Sequence, residues 1–252
     1  MTFKKFDEIK LRDVGVSWSI IVRLDVKFPV QAHREMQHFI LTDATGLKIE
    51  ANVIGDDISR FNKLLTEGCT YNIHEVRFQI MSKVEYGNIR SHYECYFDHV
   101  TKVDPYYGNI QFPLYPKYVM SFSEVGYCRR NTFVDIAGIV VHWGNLERGR
   151  TLYREVVLMD ARCNLIVVGL WCRILARHAI SLKSAATHNH IILGTMLRNN
   201  HEHRCLEYLD HTILGFNPNH QSTNDLPGLQ QPVVNKSMDL RFINKFLEKR
   251  WA

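Results

Sequence analysis

The chain has 252 residues, 46% hydrophobic and 23% charged, enough to bury one large or two small cores and too apolar for extended disorder. No apolar run approaches the roughly 18 residues of a membrane-spanning helix, and the opening MTFKKFDEIKLRD mixes charges with no apolar stretch, against a secretory signal and against a membrane partner. The net charge of +5 is uneven: residues 1–110 hold 14 Lys/Arg against 15 Asp/Glu, while 111–252 hold 17 against 11, so the second half points to an anionic partner, nucleic acid first, or to a merely basic surface. The six cysteines lack CxxC spacing and read as reduced thiols.

In WSIIVRLDVKF (18–28) the residues Ile20, Val22 and Leu24 share one face, the two-residue period of a half-buried strand. FILTDATGLKIEANVI (39–54) reads as a hairpin turning at Asp43–Gly46, where Asp can bond its own backbone and Gly tolerates positive φ. Next comes a helix with Ile58, Phe61, Leu64 and Leu65 at helical spacing, stopped by Gly68. TYNIHEVRFQI (70–80) and HYECYFDHVTKV (92–103) read as two further strands. Five strands with a helix between the third and fourth is the order of an OB-fold, a small Greek-key barrel.

The order then recurs. FVDIAGIVVHW (133–143) is a first strand, with Gly138 as a bend. The segment 153–171 is a hairpin, RILARHAISL (173–182) a helix, and HIILGTMLR (190–198) and CLEYLDHTIL (205–214) are the closing strands. VVLMDARCNLIVVGLW (156–171) superimposes on 39–54 without a gap at a shift of 117 residues: Leu41 falls on Leu158, Asp43 on Asp160, Ile49 on Ile166 and Ile54 on Trp171. The expected fold is all-β: a first OB-fold over 1–104, a connector with a short helix over 105–131, a second OB-fold over 132–216, and a loop with a C-terminal amphipathic helix over 217–252. The connector, with three prolines in DPYYGNIQFPLYPKY (104–118), is expected to pack along a barrel. SMDLRFINKFLEKRW (237–251) carries Leu240, Ile243, Phe246 and Leu247 on one stripe after the candidate cap Ser237; it either folds back on the barrel or docks on a protein partner.

FILTDATGLKIEANVIGDDISRFNKLL, IQFPLYPKY, FVDIAGIVV and REVVLMDARCNLIVVGLW, spread over residues 16–216, resemble the tandem central OB domains of the replication protein A large subunit, in the texture of its plant-type relatives. The resemblance implies single-stranded DNA binding, with RNA as a second candidate, in DNA replication, repair or recombination in the nucleus. It also implies two base-stacking aromatic residues per barrel, one ending the third strand and one between strands four and five. By position these are Ile54 and Tyr86 in the first barrel, and Trp171 and His201 in the second. The zinc-bearing third barrel of those relatives has no counterpart here, which argues against assembly into the usual heterotrimer.

A ring at the end of the third strand can stack on any base, since all bases have a π-face. Strand alternation puts Leu170 and Trp171 on opposite sides, so an inward Leu170 implies an outward Trp171. Lys83 and Arg90 flank Tyr86. In the second half Arg198, Arg204, Arg173 and Arg177 are cationic candidates, with Arg198 ranked first. Trp143, Arg148 and Arg150 belong to the loop between strands one and two, which flanks the binding face in OB-folds. The pairs His188/His190 and His201/His203 lack further ligands at zinc-site spacing, and there is no phosphate-cradling glycine loop or GxSxG elbow. The expectation is a non-enzymatic binder without cofactor or metal. The competing reading is an OB-fold module that docks a partner protein.

Overall fold

The computed structural model describes residues 3–31, 33, 35–81, 88–148, 152–224, 226 and 240–251. The chain divides into two compact units, Met1–Lys117 and Tyr118–Ala252. The first contains β1 (Ser17–Lys27), β2 (Met36–Asp43), β3 (Lys48–Ile54), α1 (Ile58–Leu64), β4 (Thr70–Ile80), β5 (Tyr93–Phe97) and β6 (Lys102–Pro105). Its sheet closes in the order β1-β2-β3-β5-β4-β1, antiparallel except for the parallel pair β3–β5. That circuit is the OB-fold barrel. Ile20, Val22, Leu24, Phe39, Leu41, Ala51, Val53, Ile73 and Phe78 fill it, and Phe61 and Leu65 of the α1 region close it.

The second unit contains α2 (Phe122–Val125), β7 (Phe133–Trp143), β8 (Glu147–Arg148), β9 (Leu152–Met159), β10 (Leu165–Trp171), α3 (Cys172–His188), β11 (Ile191–Asn200), β12 (Cys205–Glu207), β13 (Ile213–Phe216) and α4 (Leu240–Trp251). Its circuit, β7-β9-β10-β12-β11-β7 with β10–β12 parallel, repeats the first. The two hairpins agree in register. Met36 faces Ile54 and Thr42 faces Lys48 in the first; Tyr153 faces Trp171 and Met159 faces Leu165 in the second, each residue displaced by 117. Both turns are tied by an aspartate. Asp43 Oδ1 accepts from the N–H groups of Thr45 (2.9 Å) and Leu47 (3.3 Å), and Asp160 Oδ1 from those of Arg162 (2.9 Å) and Asn164 (2.8 Å). Gly46, at φ +81°, is matched by Cys163 at +62°. A Cβ on Gly46 would also lie 2.9 Å from Pro113 Cγ, so glycine serves both turn and packing there.

Each expected fifth strand is in fact two. β5 and β6 are separated by a turn at Asp98–Thr101, and β12 and β13 by one at Leu209–Thr212; the outer pieces return to pair with β4 and β11. A shared threonine device explains the break. β4 and β11 each carry a bulge at a positive-φ residue, Glu75 (+60°) and Met196 (+54°). Buried Thr101 donates to the Glu75 carbonyl (3.1 Å) and accepts from Asp98 N–H (3.1 Å). Buried Thr212 donates to the Met196 carbonyl (2.9 Å) and accepts from Leu209 N–H (3.0 Å).

Three further expectations are refined. α3 runs to His188, beyond residue 182, because Leu182 and Ala185 continue its buried side; Asn189 then ends it in the left-handed region. Gly138 is required by contact, since a Cβ there would meet Phe122 of α2 at 2.7 Å. The connector is divided. Its first part packs on the first barrel, with Lys117 N–H donating to Gly46 O (3.0 Å) and Arg23 Nη1 to Pro113 O (3.4 Å). Residues 118–131 join the second, where Ser121 and Glu124 cap α2 reciprocally.

Thr212→Val keeps the shape but leaves a partly buried N–H and a buried carbonyl without their partner. It should lower the stability of the second barrel by about 1–3 kcal/mol in denaturant titration. Thr187→Val, at an exposed helical threonine, should change it by less than about 0.5 kcal/mol.

Candidate nucleic-acid interface

In an OB-fold the outer surface of strands two and three, with the flanking loops, is the oligonucleotide-binding face. Closure decides which side chains lie there. In the second hairpin Val156, Leu158, Val168 and Leu170 belong to the barrel interior. The alternate row Tyr153, Glu155, Val157 and Met159 on β9, with Leu165, Val167, Gly169 and Trp171 on β10, therefore points outward.

Trp171 is the last residue of β10 and the N-cap of α3, so strand and helix together fix its backbone. Its indole is partly exposed. The Tyr153 ring, directly across the hairpin, lies 4.4 Å from it, and His203, from the β11–β12 loop, meets it edge-on at 5.5 Å. The Tyr153 hydroxyl donates to Glu155 Oε1 (2.9 Å), and burial first, then neighbouring Cys205 and Glu155, push its pKa far up, so it remains a neutral donor. Gly169 leaves room for this ring, which a Cβ there would meet at 2.9 Å.

The arginines are less free than their number implies. Arg198 is tied to buried Glu207 through Nε (2.9 Å) and Nη2, so the first-ranked cation of the sequence reading spends its charge on a carboxylate. Arg204 is exposed, donates to the main-chain carbonyl of Arg250, and has no carboxylate partner among the described residues. Arg177 sits on α3 against Tyr208, whose hydroxyl lies 3.0 Å from His178 Nε2. His201 Nε2 binds the Cys128 carbonyl (3.0 Å), away from the indole; His203 holds the place expected of His201. Trp143 faces Val156 and packs on the barrel interior, with the Arg154 guanidinium over it at 4.4 Å, so it closes the end of the core. Arg148 lies in β8, and Arg150 falls outside the described residues.

The same outward row in the first barrel is built differently. Ile54 takes the place of Trp171, 49% exposed, and Met36 that of Tyr153. Between them lie a buried and a partly buried carboxylate. Glu50 is 2.6 Å from His38 Nδ1 and accepts from Asn88 N–H and Nδ2 (both 2.7 Å); Glu94 accepts from Asn52 Nδ2 (2.8 Å) and the Tyr96 hydroxyl (3.2 Å). Burial, reinforced by Glu50, raises the Glu94 pKa, and burial beside Glu94 raises the Tyr96 hydroxyl to about 12. Arg90 is exposed, whereas Lys83 and Tyr86 fall outside the described residues.

The C-terminal helix folds back on the second barrel. Ile243 is fully buried against Val157, Val167 and Cys205, with Phe242, Phe246 and Leu247 around it. At the other end of α4, Arg250 is buried in an ion pair with Glu155. The candidate cap Ser237 lies outside the described residues. Among the described residues no helix is long and apolar enough to cross a membrane, and no cluster of three or more His, Cys, Asp or Glu could hold a metal.

Residues 120–207 match the model of a domain of unknown function, DUF8448. Replication factor A protein 1 of Schizosaccharomyces pombe is 23% identical over 195 residues, covering 75% of this chain and 31% of that protein's length. Among solved structures, a replication protein A heterotrimer bound to single-stranded DNA matches with TM-score 0.44 and 20% identity, over 92% of this chain and 55% of that one. Fission yeast Pot1 with single-stranded DNA matches with TM-score 0.38 and 8% identity, over 93% and 94%. The barrel assignment itself rests on the strand circuits.

Tyr153 was not singled out in the sequence, and His203 was named only as half of a histidine pair. The signal for Tyr153 was the 117-residue register, which puts it opposite Trp171. For His203 the signal was the loop RNNHEHR (198–204) alone, because the loop's backbone decides which of its two histidines reaches the indole.

The raised Glu94 pKa has a sign that can be measured. The folded protein holds this proton at pH values where the unfolded chain has released it, so stability falls as pH climbs from the ordinary value of 4.5 through the folded one. Glu94→Gln should unfold at a higher temperature than wild type at pH 7, and the gain should shrink to nothing below about pH 4. Melting curves at both pH values check this.

Proposed function

We propose that the chain is a non-enzymatic binder of single-stranded nucleic acid, single-stranded DNA first, and that the second barrel does most of the work. One observation carries this reading: a partly exposed indole, braced by Tyr153, ends the third strand on the outward face of a closed OB barrel. Stacking there takes any base, so the expected sequence preference is weak. Arg204, next in the chain to His203, is exposed without an acidic partner among the described residues and suits a phosphate. The similarity to replication factor A protein 1 supports a setting in DNA replication, repair or recombination, and a nuclear location.

A second reading has a specific observation behind it. The outward face of the first barrel carries the hydrogen-bonded carboxylates Glu50 and Glu94 where the second carries Val167 and Cys205. With Ile54 in place of the indole and its carboxylates tied up in this network, the face has lost its strand-end stacking ring, so this barrel suits contact with a protein better than with a nucleic-acid strand.

Trp171→Ala should weaken binding of an oligothymidine by about 1–3 kcal/mol while near-ultraviolet circular dichroism shows an intact fold. Ile54→Ala, at the matching position of the first barrel, should leave affinity within twofold. Intrinsic fluorescence of the four tryptophans should be quenched on titration, and quenching should fade in Trp171→Ala. The logarithm of the affinity should fall linearly with the logarithm of salt concentration. A folded Trp171→Ala protein with wild-type affinity would remove the site.

A further inference from the structure

The outward face of the β9–β10 hairpin already has an occupant. α4 buries Ile243 on Val157 and Val167, the middle pair of that row, and surrounds the contact with Phe242, Phe246 and Leu247. The same helix reaches the residues around the indole. Arg250 pairs with Glu155, which holds the Tyr153 hydroxyl, and the Arg250 carbonyl accepts from Arg204. Helix and site thus share Glu155 and Arg204 as well as surface.

We propose that this face is a shared docking surface: α4 and single-stranded nucleic acid occupy it in turn, and the seated helix holds down the affinity of the second barrel. The inference rests on the preceding reading of Trp171. Three features fit a helix that leaves. Its anchor is small, with Ile243 the one apolar side chain of α4 that is fully buried among the described residues. The barrel's own interior, Val156, Leu158, Val168 and Leu170, is a separate cluster that needs nothing from α4. The charges fit as well. A departing α4 frees the Arg204 guanidinium for a phosphate on the same rim, which offsets the uncovering of Glu155. Apparent affinity scales with the fraction of molecules whose face is open, so loosening the helix must tighten nucleic-acid binding.

The test uses the full chain. Ile243→Glu puts a charge into the Val157–Val167 contact without shortening the protein. It should bind oligothymidine at least fivefold more tightly than wild type at equal salt. Unchanged or weaker binding by a folded Ile243→Glu protein overturns the proposal, as does absence of binding by both proteins; binding by the variant alone supports it. Trp171→Ala separates the two readings, because loss of affinity there with no gain from Ile243→Glu leaves the stacking site standing and removes the competition. Amide exchange of the wild-type protein avoids mutation altogether. Saturating oligothymidine should lower protection across residues 241–250, and retained protection there at saturation overturns the proposal.

Discussion

A strand has two sides, and closing five strands into a barrel decides which of them meets water. Every functional statement about this chain depends on that constraint. Once β10 pairs with β9 on one edge and β12 on the other, Val168 and Leu170 must lie inside, and Val167, Gly169 and Trp171 must lie outside. A slip of one residue would bury the indole and expose Leu170. The aspartate turns guard against such a slip. Asp43 and Asp160 each accept several hydrogen bonds from their own turns, which fixes the loop length on which register depends.

Within that shared frame the two hairpins diverge on one side only. Their inner rows are alike in kind: Phe39, Leu41, Ile49, Ala51 and Val53 answer to Val156, Leu158, Ile166, Val168 and Leu170. The outer rows share little. Tyr153 and Trp171 correspond to Met36 and Ile54, and Val167 corresponds to Glu50. The inner row answers to packing, which asks the same of both barrels. The outer row answers to whatever lies on the barrel: α4 in the second, and a buried polar network with Asn88 in the first. One architecture thus supports an aromatic face and a face of hydrogen-bonded polar side chains in the same chain.

Much of this was legible in the sequence because it is written in local periods. The hairpins, the helices after β3 and β10, and the repeat came from alternation, helical spacing and a gapless shift. The split fifth strands did not, because the turn after β5 depends on Thr101 reaching the carbonyl of Glu75, and that after β12 on Thr212 reaching that of Met196; both are partners distant in sequence. The site divides the same way. Trp171 was visible as a strand end. The tie between Arg198 and Glu207 was not, since it is a cross-strand pair whose register no local pattern sets. The apolar stripe of the C-terminal helix was visible, but its resting place was not, because amphipathicity says that a helix has a buried side and leaves open what buries it.

Charge shows why placement matters more than count. The second half carries an excess of six positive charges, yet Arg198, Arg250 and Arg130 are each paired with a glutamate. Part of the remaining excess rides on α4, where Arg241, Lys245 and Lys249 stand four residues apart and exposed while Ile243 and Arg250 face the barrel. With α4 seated, Lys245 and Lys249 line a groove of about 790 Å³ with Phe122, Tyr127 and Phe246, next to the hairpin turn at Cys163 and Asn164. Trp171 lies at the opposite end of β10 from that turn. A strand of β10's seven residues spans roughly 20 Å, about twice the screening length at physiological salt. These lysines therefore add to the general attraction of the second unit for an anion, but not to a contact at the indole. Among the described residues, the exposed cation next to the indole's neighbour His203 is Arg204, and it is held by the helix end.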